Sequence, residues 1–541
     1  MGTYVNRGNQ KFIEVLNSAC YIDKSGLIGF MNARLFTTEK ETSFTRPRRF
    51  GKTTACSMLT AYYSVGCDST ELFKGLEIEK DPSYHEHLNK YPVIYFDLFP
   101  FMYEWTSGNL KGKTMVQYLE RTLVEELAKE YPGVIKEGVS SLNQAMLDIA
   151  SLPLSEEEEK NGESHQFIVI IDEWDMVLRE AKGNSAMIEE YINFLRSIFR
   201  SKNTSDYLAG AYMTGILPII RYDTQSALSD FKEFTMLKPK RLAMYVGFTS
   251  EDVLAICRKY GADPKRMKEW YDGYSFPYVG EVYCPSSVMA AAMDNDYSSH
   301  WPKTSAIESL TSYIYANVGG LKKAMDDLLD GKEVEVNTDT FENRLDKVDT
   351  KDKVLTVLIH LGYLAFNPAS RCVRIPNNEV RLQMLEAFGQ SSNKEFFLRV
   401  KRCEEVLKAT KEMDAKVVAS LISKIHNERP PIHYNDENAL RYVVLMAYNN
   451  SPRAAYVNFE ELSSGKGFVD ILFKPESSYD PAILIELKHN RSAKAAINQV
   501  YDKDYLGYLR KDHYHGDVLL VGVNYSAWTR KHTCKIEKVT I

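Results

Sequence analysis

The segment Phe44–Thr54, Phe-Thr-Arg-Pro-Arg-Arg-Phe-Gly-Lys-Thr-Thr, constrains the fold more than any other part of the chain. Its pattern predicts a short strand, a tight loop and the first turn of a helix. Gly51-Lys52-Thr53 is typical of the end of a phosphate-binding loop, where unpaired N–H groups, a lysine and a Mg²⁺-binding hydroxyl converge on phosphate. The full pattern also wants a glycine five residues before Gly51, where Arg46 stands. The loop must therefore turn in a different way.

A second part of a nucleotide-binding site is predicted at Phe167–Glu173. This segment is an apolar run that ends in Asp172 and Glu173. Such a run favours a buried parallel strand. In a P-loop ATPase, the strand next to the phosphate loop ends this way; its aspartate holds the Mg²⁺ shell and its glutamate polarises the attacking water. The alternative is a core strand that runs into an ordinary acidic turn. The two half-patterns, about 120 residues apart, support each other.

Strands that alternate with helices predict a doubly wound parallel sheet, with ligand at the carboxyl edge of its strands. At the end of one such strand, Thr214 could sense a γ-phosphate, whereas Arg221 just beyond it is interpreted as a surface residue. The predicted elements of this region are a helix over 54–63, a strand over 92–98, a helix over 112–130, a solvated acidic loop over 155–164, and strands over 167–173 and 207–214.

Composition narrows the class of protein. The formal net charge of −6 over 541 residues argues against a surface coated in positive charge, although it leaves room for a local basic channel. No apolar run approaches the length of about 18 residues that spans a bilayer, and the N-terminus lacks an apolar signal region. The eight cysteines are scattered without a C-x-x-C pair. We therefore expect a cytoplasmic protein in a reducing compartment, without a zinc or disulfide framework.

The middle of the chain is predicted to be largely helical. A helix opens near Thr249 or Ser250, and the aromatic turn Trp270–Tyr274 is expected to serve packing rather than base stacking. A helix over 354–363, followed by two short strands at 365–366 and 373–376, is consistent with a small winged-helix-like module. Such a module could bind nucleic acid or act as a spacer.

The C-terminal part has different chemistry. Asp470 lies on a predicted strand over 468–473, and Glu486 and Lys488 lie on one face of the next strand. If the two strands form a hairpin, both carboxylates converge and suit Mg²⁺ or Mn²⁺, which would activate water while the lysine neutralises a phosphate under attack. The alternative is an ordinary Glu486–Lys488 salt bridge. Gln499 falls in a predicted helix over 493–508, and Glu437 in the first turn of another.

Taken together, these motifs resemble the predicted AAA-ATPase-like family with a C-terminal domain of the PD-(D/E)XK nuclease superfamily, over most of residues 10–525. They are Tyr21-Ile22-Asp23-Lys24, Arg46-Pro47-Arg48-Arg49-Phe50-Gly51-Lys52-Thr53, Ile171-Asp172-Glu173-Trp174-Asp175, Trp270-Tyr271-Asp272-Gly273-Tyr274, and Gly467-Phe468-Val469-Asp470 with Glu486-Leu487-Lys488.

The resemblance implies an α/β fold in four parts: an AAA-ATPase-like P-loop domain over 10–245, a helical lid-like region over 246–330, a helical or winged-helix-like linker over 331–430, and a restriction-endonuclease-like domain over 431–541. It also implies that a missing first glycine is normal. One departure is Phe468, where related proteins often carry an arginine, and this bears on phosphate contact more than on metal binding.

The function expected from these features is ATP binding and hydrolysis coupled to metal-dependent cleavage of nucleic acid, in a defence, mobile-element or toxin context. The alternative is a nucleotide-dependent switch or scaffold whose nuclease-like domain binds without cutting. DNA and RNA stay open as substrates, and an arginine acting in trans would require a homo-oligomer. A local net charge of +4 over 486–541 suits a surface that faces nucleic acid.

The residues expected to carry this chemistry form two sets. For ATP and its Mg²⁺ they are Arg48, Arg49, Gly51, Lys52, Thr53, Thr54 and Asp172, with Thr53 and Asp172 as metal ligands and Glu173 as the catalytic residue that polarises the attacking water. For the nuclease site, as the resemblance implies, they are Asp470, Glu486, Lys488, Gln499 and Glu437, with Asp470 and Glu486 as metal ligands.

Overall fold

The computed structural model divides the chain into two compact units, Met1–Met267 with Tyr271–Asn377, and Lys268–Trp270 with Asn378–Ile541. Within the described ranges, no helix combines the length and apolarity needed to cross a membrane. The four-part division expected from the sequence stays a prediction. The residues that the structure describes are 2–110, 112–181, 184–219, 221–222, 225–226, 228–300, 318–343, 348–389, 402, 405–427, 437–449, 456–464, 467–475 and 480–541.

The first unit is built on a five-stranded parallel sheet with the strand order β2-β3-β4-β1-β7. Two three-stranded sheets, β8-β10-β9 and β11-β13-β12, accompany it, with a two-stranded ribbon of β5 and β6. The strands are β1 Glu41–Thr45, β2 Val93–Asp97, β3 Phe167–Asp172, β4 Leu208–Gly215, β5 Arg221–Tyr222, β6 Gln225–Ser226, β7 Lys232–Phe234, β8 Phe248–Thr249, β9 Tyr274–Phe276, β10 Gly280–Tyr283, β11 Val334–Glu335, β12 Ala365–Asn367 and β13 Cys372–Arg374.

The helices up to residue 377 connect and cover these strands. They are α1 Gln10–Leu16, α2 Gly26–Asn32, α3 Lys52–Tyr63, α4 Thr70–Phe73, α5 Tyr84–His87, α6 Phe99–Thr106, α7 Met115–Glu130, α8 Leu142–Ala150, α9 Glu156–Asn161, α10 Met176–Glu180, α11 Ser185–Phe199, α12 Thr204–Tyr207, α13 Ser250–Tyr260, α14 Pro264–Tyr271, α15 Pro285–Asp294, α16 Leu321–Leu329 and α17 Lys351–Leu361, with 3₁₀ turns at Glu77–Lys80, Lys240–Met244, Val318–Gly320 and Thr338–Thr340.

The predicted parallel sheet with helices on both faces is confirmed. Strand β3 is buried along its whole length, as its continuous apolar run requires. Phe167, Val169 and Ile171 join one apolar cluster with α7, α8 and α11, while α3 packs on β3 outside that cluster. The strand that carries Asp172 is not next to the phosphate-loop strand, however, and that expectation is wrong. The fully buried strand β4 pairs with β1 on one side and with β3 on the other.

Local capping explains where two helices begin. The expected acidic loop over 155–164 is instead the helix α9, because Ser155 and Glu158 form a reciprocal capping box and acids occupy its first turn. Thr249 caps α13 in the same way, as its sequence predicts. The predicted helix before Gly362 and the two strands after it are also present, as α17, β12 and β13. Their likeness to a winged helix stays a prediction.

The second unit contains a mixed sheet with the order β14-β15-β16-β17-β18, in which only β16 and β17 are parallel. The sequence did not predict β18, and the predicted helix over 493–508 is wrong in extent, because the chain breaks at Asp504 with φ 50°. The elements are α18 Asn378–Gly389, α19 Ala415–Asn427, α20 Glu437–Asn449, β14 Tyr456–Ser464, β15 Gly467–Pro475, β16 Ala482–His489, α21 Ala493–Asp502, α22 Gly507–Lys511, β17 Asp517–Ser526 and β18 Lys531–Thr540.

Candidate functional site

The loop between β1 and α3 turns without a glycine at its first position. Arg49 and Gly51 both adopt the left-handed conformation, with φ 67° and 93°, and the helix begins at Lys52. A left-handed backbone is costly for a residue with a side chain and easy for glycine. The pair Arg49 and Gly51 therefore supplies the turn that the missing glycine would otherwise provide.

Arg46 has a structural role in this loop. Its N–H donates to the carbonyl of Gly215 at 3.0 Å, which ties the loop to β4. Its guanidinium is fully buried between the rings of Phe44 and Phe276, 4.7 and 4.8 Å from their centroids. Burial lowers the pKa of Arg46 to about 9. The Arg46 side chain therefore packs in the protein interior and stabilises the loop.

The functional groups of the loop meet the acids of β3. The Lys52 ammonium donates to the carbonyl of Pro47 at 3.1 Å and lies 3.6 Å from Oε1 of Glu173. The Asp172 carboxylate is 1% exposed and accepts a hydrogen bond from the Glu173 N–H at 3.0 Å. Burial raises the pKa of Asp172 to about 6, against the opposing effect of the nearby Thr53 hydroxyl. The structure thus brings both predicted halves of the site together.

Two acidic residues and one basic residue that the sequence did not single out join this site. Asp97 ends β2 directly opposite Asp172, and burial is the main cause that raises its pKa. Arg179 on α10 forms ion pairs with both Glu173 and Asp175. Glu173 itself has a left-handed backbone with φ 52°, so the chain turns sharply where the strand ends. An acidic end of β2 next to that of β3 was the available signal for Asp97.

These groups line a cavity of about 840 Å³. Arg48, Arg49, Gly51, Lys52, Thr53, Thr54 and Glu173 from the predicted set all line it, together with Asp97, Phe99, Met102, Tyr103, Thr106, Met176, Arg179, Glu180, Pro285 and Ser286. Asp172 lies behind Thr53. Thr214 is not part of the lining, since its hydroxyl donates to the Phe44 carbonyl at 2.7 Å inside the sheet. The side chain of Arg221 lies outside the described residues.

A smaller, mainly apolar cavity of about 260 Å³ shares Gly51, Thr54 and Pro285 with the first. Its walls include Val15, Ile22, Met58 and Phe248, and the buried hydroxyl of Tyr21 has no hydrogen-bond partner among the described residues. A cavity with charged residues in its lining and a mainly apolar cavity therefore adjoin at the same loop.

In the second unit, Asp470 and Glu486 lie on the paired strands β15 and β16. Asp470 accepts a hydrogen bond from the Leu487 N–H at 2.8 Å, and its other oxygen accepts from Arg441 at 3.2 Å. The Lys488 ammonium donates to Glu486 at 2.9 Å, and both of these side chains are buried. The alternative of a Glu486–Lys488 salt bridge is thus present, although it lies beside Asp470 rather than alone.

Tyr505 connects these residues with the following helix. The amide of Gln499 donates to the Tyr505 hydroxyl at 3.1 Å. The pKa of Tyr505 is raised mainly by burial and further by the charges of Glu486 and Asp470. Four predicted residues, Asp470, Glu486, Lys488 and Gln499, therefore lie together, and the sequence missed Arg441 and Tyr505. The side chain of Glu437 lies outside the described residues. Among those described, no group of three His, Cys, Asp or Glu residues could hold a metal ion.

The parallel sheet, its phosphate-loop motif and the acids at the end of β3 are consistent with an N-terminal P-loop NTPase domain. Residues 7–224 match the sequence model of the AAA-ATPase-like family, described as predicted AAA-ATPase. This part of the chain is therefore similar to that family. No curated protein matches the chain.

Among solved structures, the chain is similar to the Walker-type ATPase PABY2304 of Pyrococcus abyssi, at 12% identity and a TM-score of 0.30, over 67% of this chain and 94% of that one. It is also similar to the ORC2 protein of Aeropyrum pernix in ADPNP–ADP complexes, at 13% identity and a TM-score of 0.33, over 70% of this chain and 98% of that one.

Proposed function

We propose that the first unit binds ATP with Mg²⁺ and hydrolyses it. The observation that carries this proposal is that Lys52, Thr53 and Glu173, from two distant segments, line one cavity with Asp172 directly behind Thr53. In this proposal Lys52 leaves the Pro47 carbonyl to bind the β- and γ-phosphates, and Glu173 orients the attacking water. Arg48 and Arg49 contribute positive charge to the same phosphates.

The donor set fits a magnesium ion. Mg²⁺ prefers hard oxygen ligands, usually one or two carboxylates with substrate phosphates and water. The Thr53 hydroxyl and the Asp172 carboxylate are groups of this kind, and the hydroxyl lies close enough to the carboxylate to lower its pKa. The adjacent Asp97 adds a second, partly buried acid, so a cation here would relieve an unfavourable concentration of negative charge. The metal would supply charge stabilisation to the γ-phosphate.

The apolar cavity on the other side of Gly51 supports a nucleoside rather than a bare phosphate as the ligand. A flat base would bury apolar surface against Ile22, Met58 and Phe248, and the unpartnered Tyr21 hydroxyl would gain a polar partner.

Nucleotide titration of the full chain tests this proposal. We expect Lys52→Ala to weaken MgATP binding by at least about 10-fold, since a charged group on phosphate contributes roughly 1.5–3 kcal/mol. Lys74→Ala, at a lysine whose side chain is 66% exposed, is the matched control and should bind as the wild type does. If Lys52→Ala and the wild type bind MgATP with equal affinity, residues 44–54 are not a phosphate-binding loop. Glu173→Gln should keep binding and slow hydrolysis.

As a second candidate function, we propose that the second unit cleaves phosphodiester bonds with Mg²⁺ or Mn²⁺, under control of the nucleotide. The convergence of Asp470, Glu486, Lys488 and Gln499 supports it. Two carboxylates suit a divalent cation, and the lysine can neutralise charge on phosphate. Nucleic acid would then be the partner, with DNA or RNA as separate arms of the test.

Digestion assays with single- and double-stranded DNA and RNA, with and without ATP, distinguish this nuclease from a switch that only binds. Asp470→Asn and Lys488→Met should abolish cleavage, while Asp512→Asn, at a partly exposed salt bridge with Lys474, should leave it unchanged. Binding of nucleic acid without cleavage in any arm favours the scaffold function. If Asp470→Asn and Lys488→Met still cleave nucleic acid, the activity does not come from this site.

A further inference from the structure

We propose that Arg179 is the positioning residue for Glu173, the group that orients water in the proposed ATPase reaction, and the inference rests on that proposed function. Arg179 lines the phosphate cavity, yet its side chain is only 6% exposed. Its Nη2 donates to Oε2 of Glu173, and its Nε donates to Oδ2 of Asp175 at 2.9 Å. One rigid guanidinium thus joins two carboxylates on the same side of the cavity.

Asp175 fixes the position of Arg179, and through it the position of Glu173. Asp175 is fully buried, and its Oδ2 also accepts a hydrogen bond from the backbone N–H of Leu217 at 2.8 Å. Leu217 lies two residues after the end of β4, the strand that pairs with both β1 and β3. The position of Arg179 is therefore set by the sheet itself through Asp175.

The two oxygens of Glu173 have different cationic partners. Arg179 holds Oε2, whereas Lys52 lies 3.6 Å from Oε1. A lysine that binds phosphate must leave Glu173, and Oε1 then loses its cation while Oε2 keeps the guanidinium. Arg179 thereby holds the carboxylate in one orientation, with Oε1 left to accept a proton.

This arrangement defines the step in which Glu173 acts. The oxygen of a water molecule forms a bond to the γ-phosphorus, and the bond from that phosphorus to the bridging oxygen of ADP breaks. The water proton passes to Oε1 of Glu173, and the electron pair of the broken bond leaves with ADP. Arg179 touches Glu173 rather than the reacting atoms in this step. The left-handed backbone of Glu173, φ 52°, is a local strain of the kind that surrounding contacts must maintain.

A double-mutant cycle on the full chain tests the inference, using kcat and KM for MgATP hydrolysis. Arg179→Gln should lower kcat by about 10- to 100-fold, less than the roughly 100- to 10,000-fold that a general base itself contributes, and change KM by less than about 3-fold. In a Glu173→Gln background, Arg179→Gln should change kcat by less than about 3-fold, because the group it positions no longer accepts a proton. Arg179→Lys should recover part of the loss, since lysine can hold one carboxylate.

Two outcomes overturn the inference: a kcat of Arg179→Gln equal to that of the wild type, or the same fold-loss in both backgrounds, which would mean that Arg179 acts on its own. Arg121→Gln, which removes an exposed Arg–Glu pair on α7, is the control and should leave both constants unchanged. If Arg179→Gln does not fold, Asp175→Asn and Arg179→Lys enter the same cycle. Failure of the proposed function is separate, because the wild type would then neither hydrolyse ATP nor differ from Lys52→Ala in binding it.

Discussion

The guanidinium of Arg46 lies 4.8 Å from the ring centroid of Phe276, although the two residues are 230 positions apart in the chain. Next to this contact, the rings of Phe50 and Tyr274 meet edge-to-face at 5.6 Å. Two side chains of the phosphate loop are therefore packed on the strand β9. The residue that replaces the first glycine connects the loop with the hairpin that follows the Trp270–Tyr274 motif.

This contact predicts that the hairpin supports nucleotide binding without touching the cavity. Phe276→Ala should lower the free energy of unfolding by about 3 kcal/mol, in the usual range for a buried phenylalanine, and weaken MgATP binding severalfold. Tyr278→Ala on the same hairpin is the control, because its side chain is 85% exposed. Urea unfolding and nucleotide titration measure the two effects. An unchanged affinity in a folded Phe276→Ala protein would contradict the support role.

A second prediction concerns Asp272, which is buried beside the carboxylate of Glu281. Burial is the main cause that raises the pKa of Asp272 to about 7, and the nearby Glu281 carboxylate raises it further. The folded state thus binds more protons than the unfolded state between about pH 4 and 7, so this group lowers stability as the pH rises through that window. Asp272→Asn should remove the effect, with a gain on the order of 2 kcal/mol at pH 8 and little gain at pH 4.5.

Thermal unfolding of the wild type and Asp272→Asn across pH 4.5–8 measures this dependence. Asn keeps an oxygen that can accept from the Gly273 N–H and gains a donor toward Glu281. Asp294→Asn, at an exposed position of the same unit, should show no such trend. A stability difference that does not change with pH would contradict the raised pKa.

A third prediction concerns the buried pair of Glu486 and Lys488. Lys488→Met leaves a carboxylate at 1% exposure without this cation, which should lower the free energy of unfolding by about 3 kcal/mol in metal-free buffer. Mn²⁺ should then restore stability, since a divalent cation replaces the lost charge. Lys474→Met, which removes a partly exposed pair with Asp512, should cost less than about 1 kcal/mol. A protein whose unfolding is insensitive to Mn²⁺ would contradict the metal assignment.

The fourth prediction is acid sensitivity of the second unit. His426 and His532 face each other with 3.0 Å between ring nitrogens, and Ser423 binds the other nitrogen of His532 at 2.9 Å. Burial, with the neighbouring His426, lowers the pKa of His532 to about 3. The unfolded state therefore binds more protons below about pH 6.5, and stability falls progressively from there toward pH 3.

Urea unfolding of the full chain at pH 7.5 and pH 5 checks this expectation. The wild type should lose about 2 kcal/mol from this group over that interval, and His532→Gln should lose less. His513→Gln, at an exposed position, should behave as the wild type does. Equal losses in all three proteins would assign the acid sensitivity to other groups.

Much of the local structure could be predicted because its causes are local. Continuous apolar runs predicted β2 and β3, and the Thr249 cap predicted the start of α13. The acidic composition of residues 155–164 predicts a solvated loop, whereas the Ser155–Glu158 capping box stabilises a short helix there. Strand β18 mixes exposed and partly buried residues with two buried ones, His532 and Ile536, so it lacks the continuous apolar run of its neighbour β17.

The sequence by itself determined the two half-sites of the first unit, because the phosphate loop and the acids of β3 are each contiguous and carry their chemistry in residue type and spacing. Only the tertiary structure decided what joins them. The insertion of β4 between β1 and β3, the burial of Arg46 on Phe276 and the hold of Arg179 on Glu173 all depend on pairings between distant segments. Such pairings are set by packing and by compensation of buried charge, and neither can be obtained from neighbours along the chain.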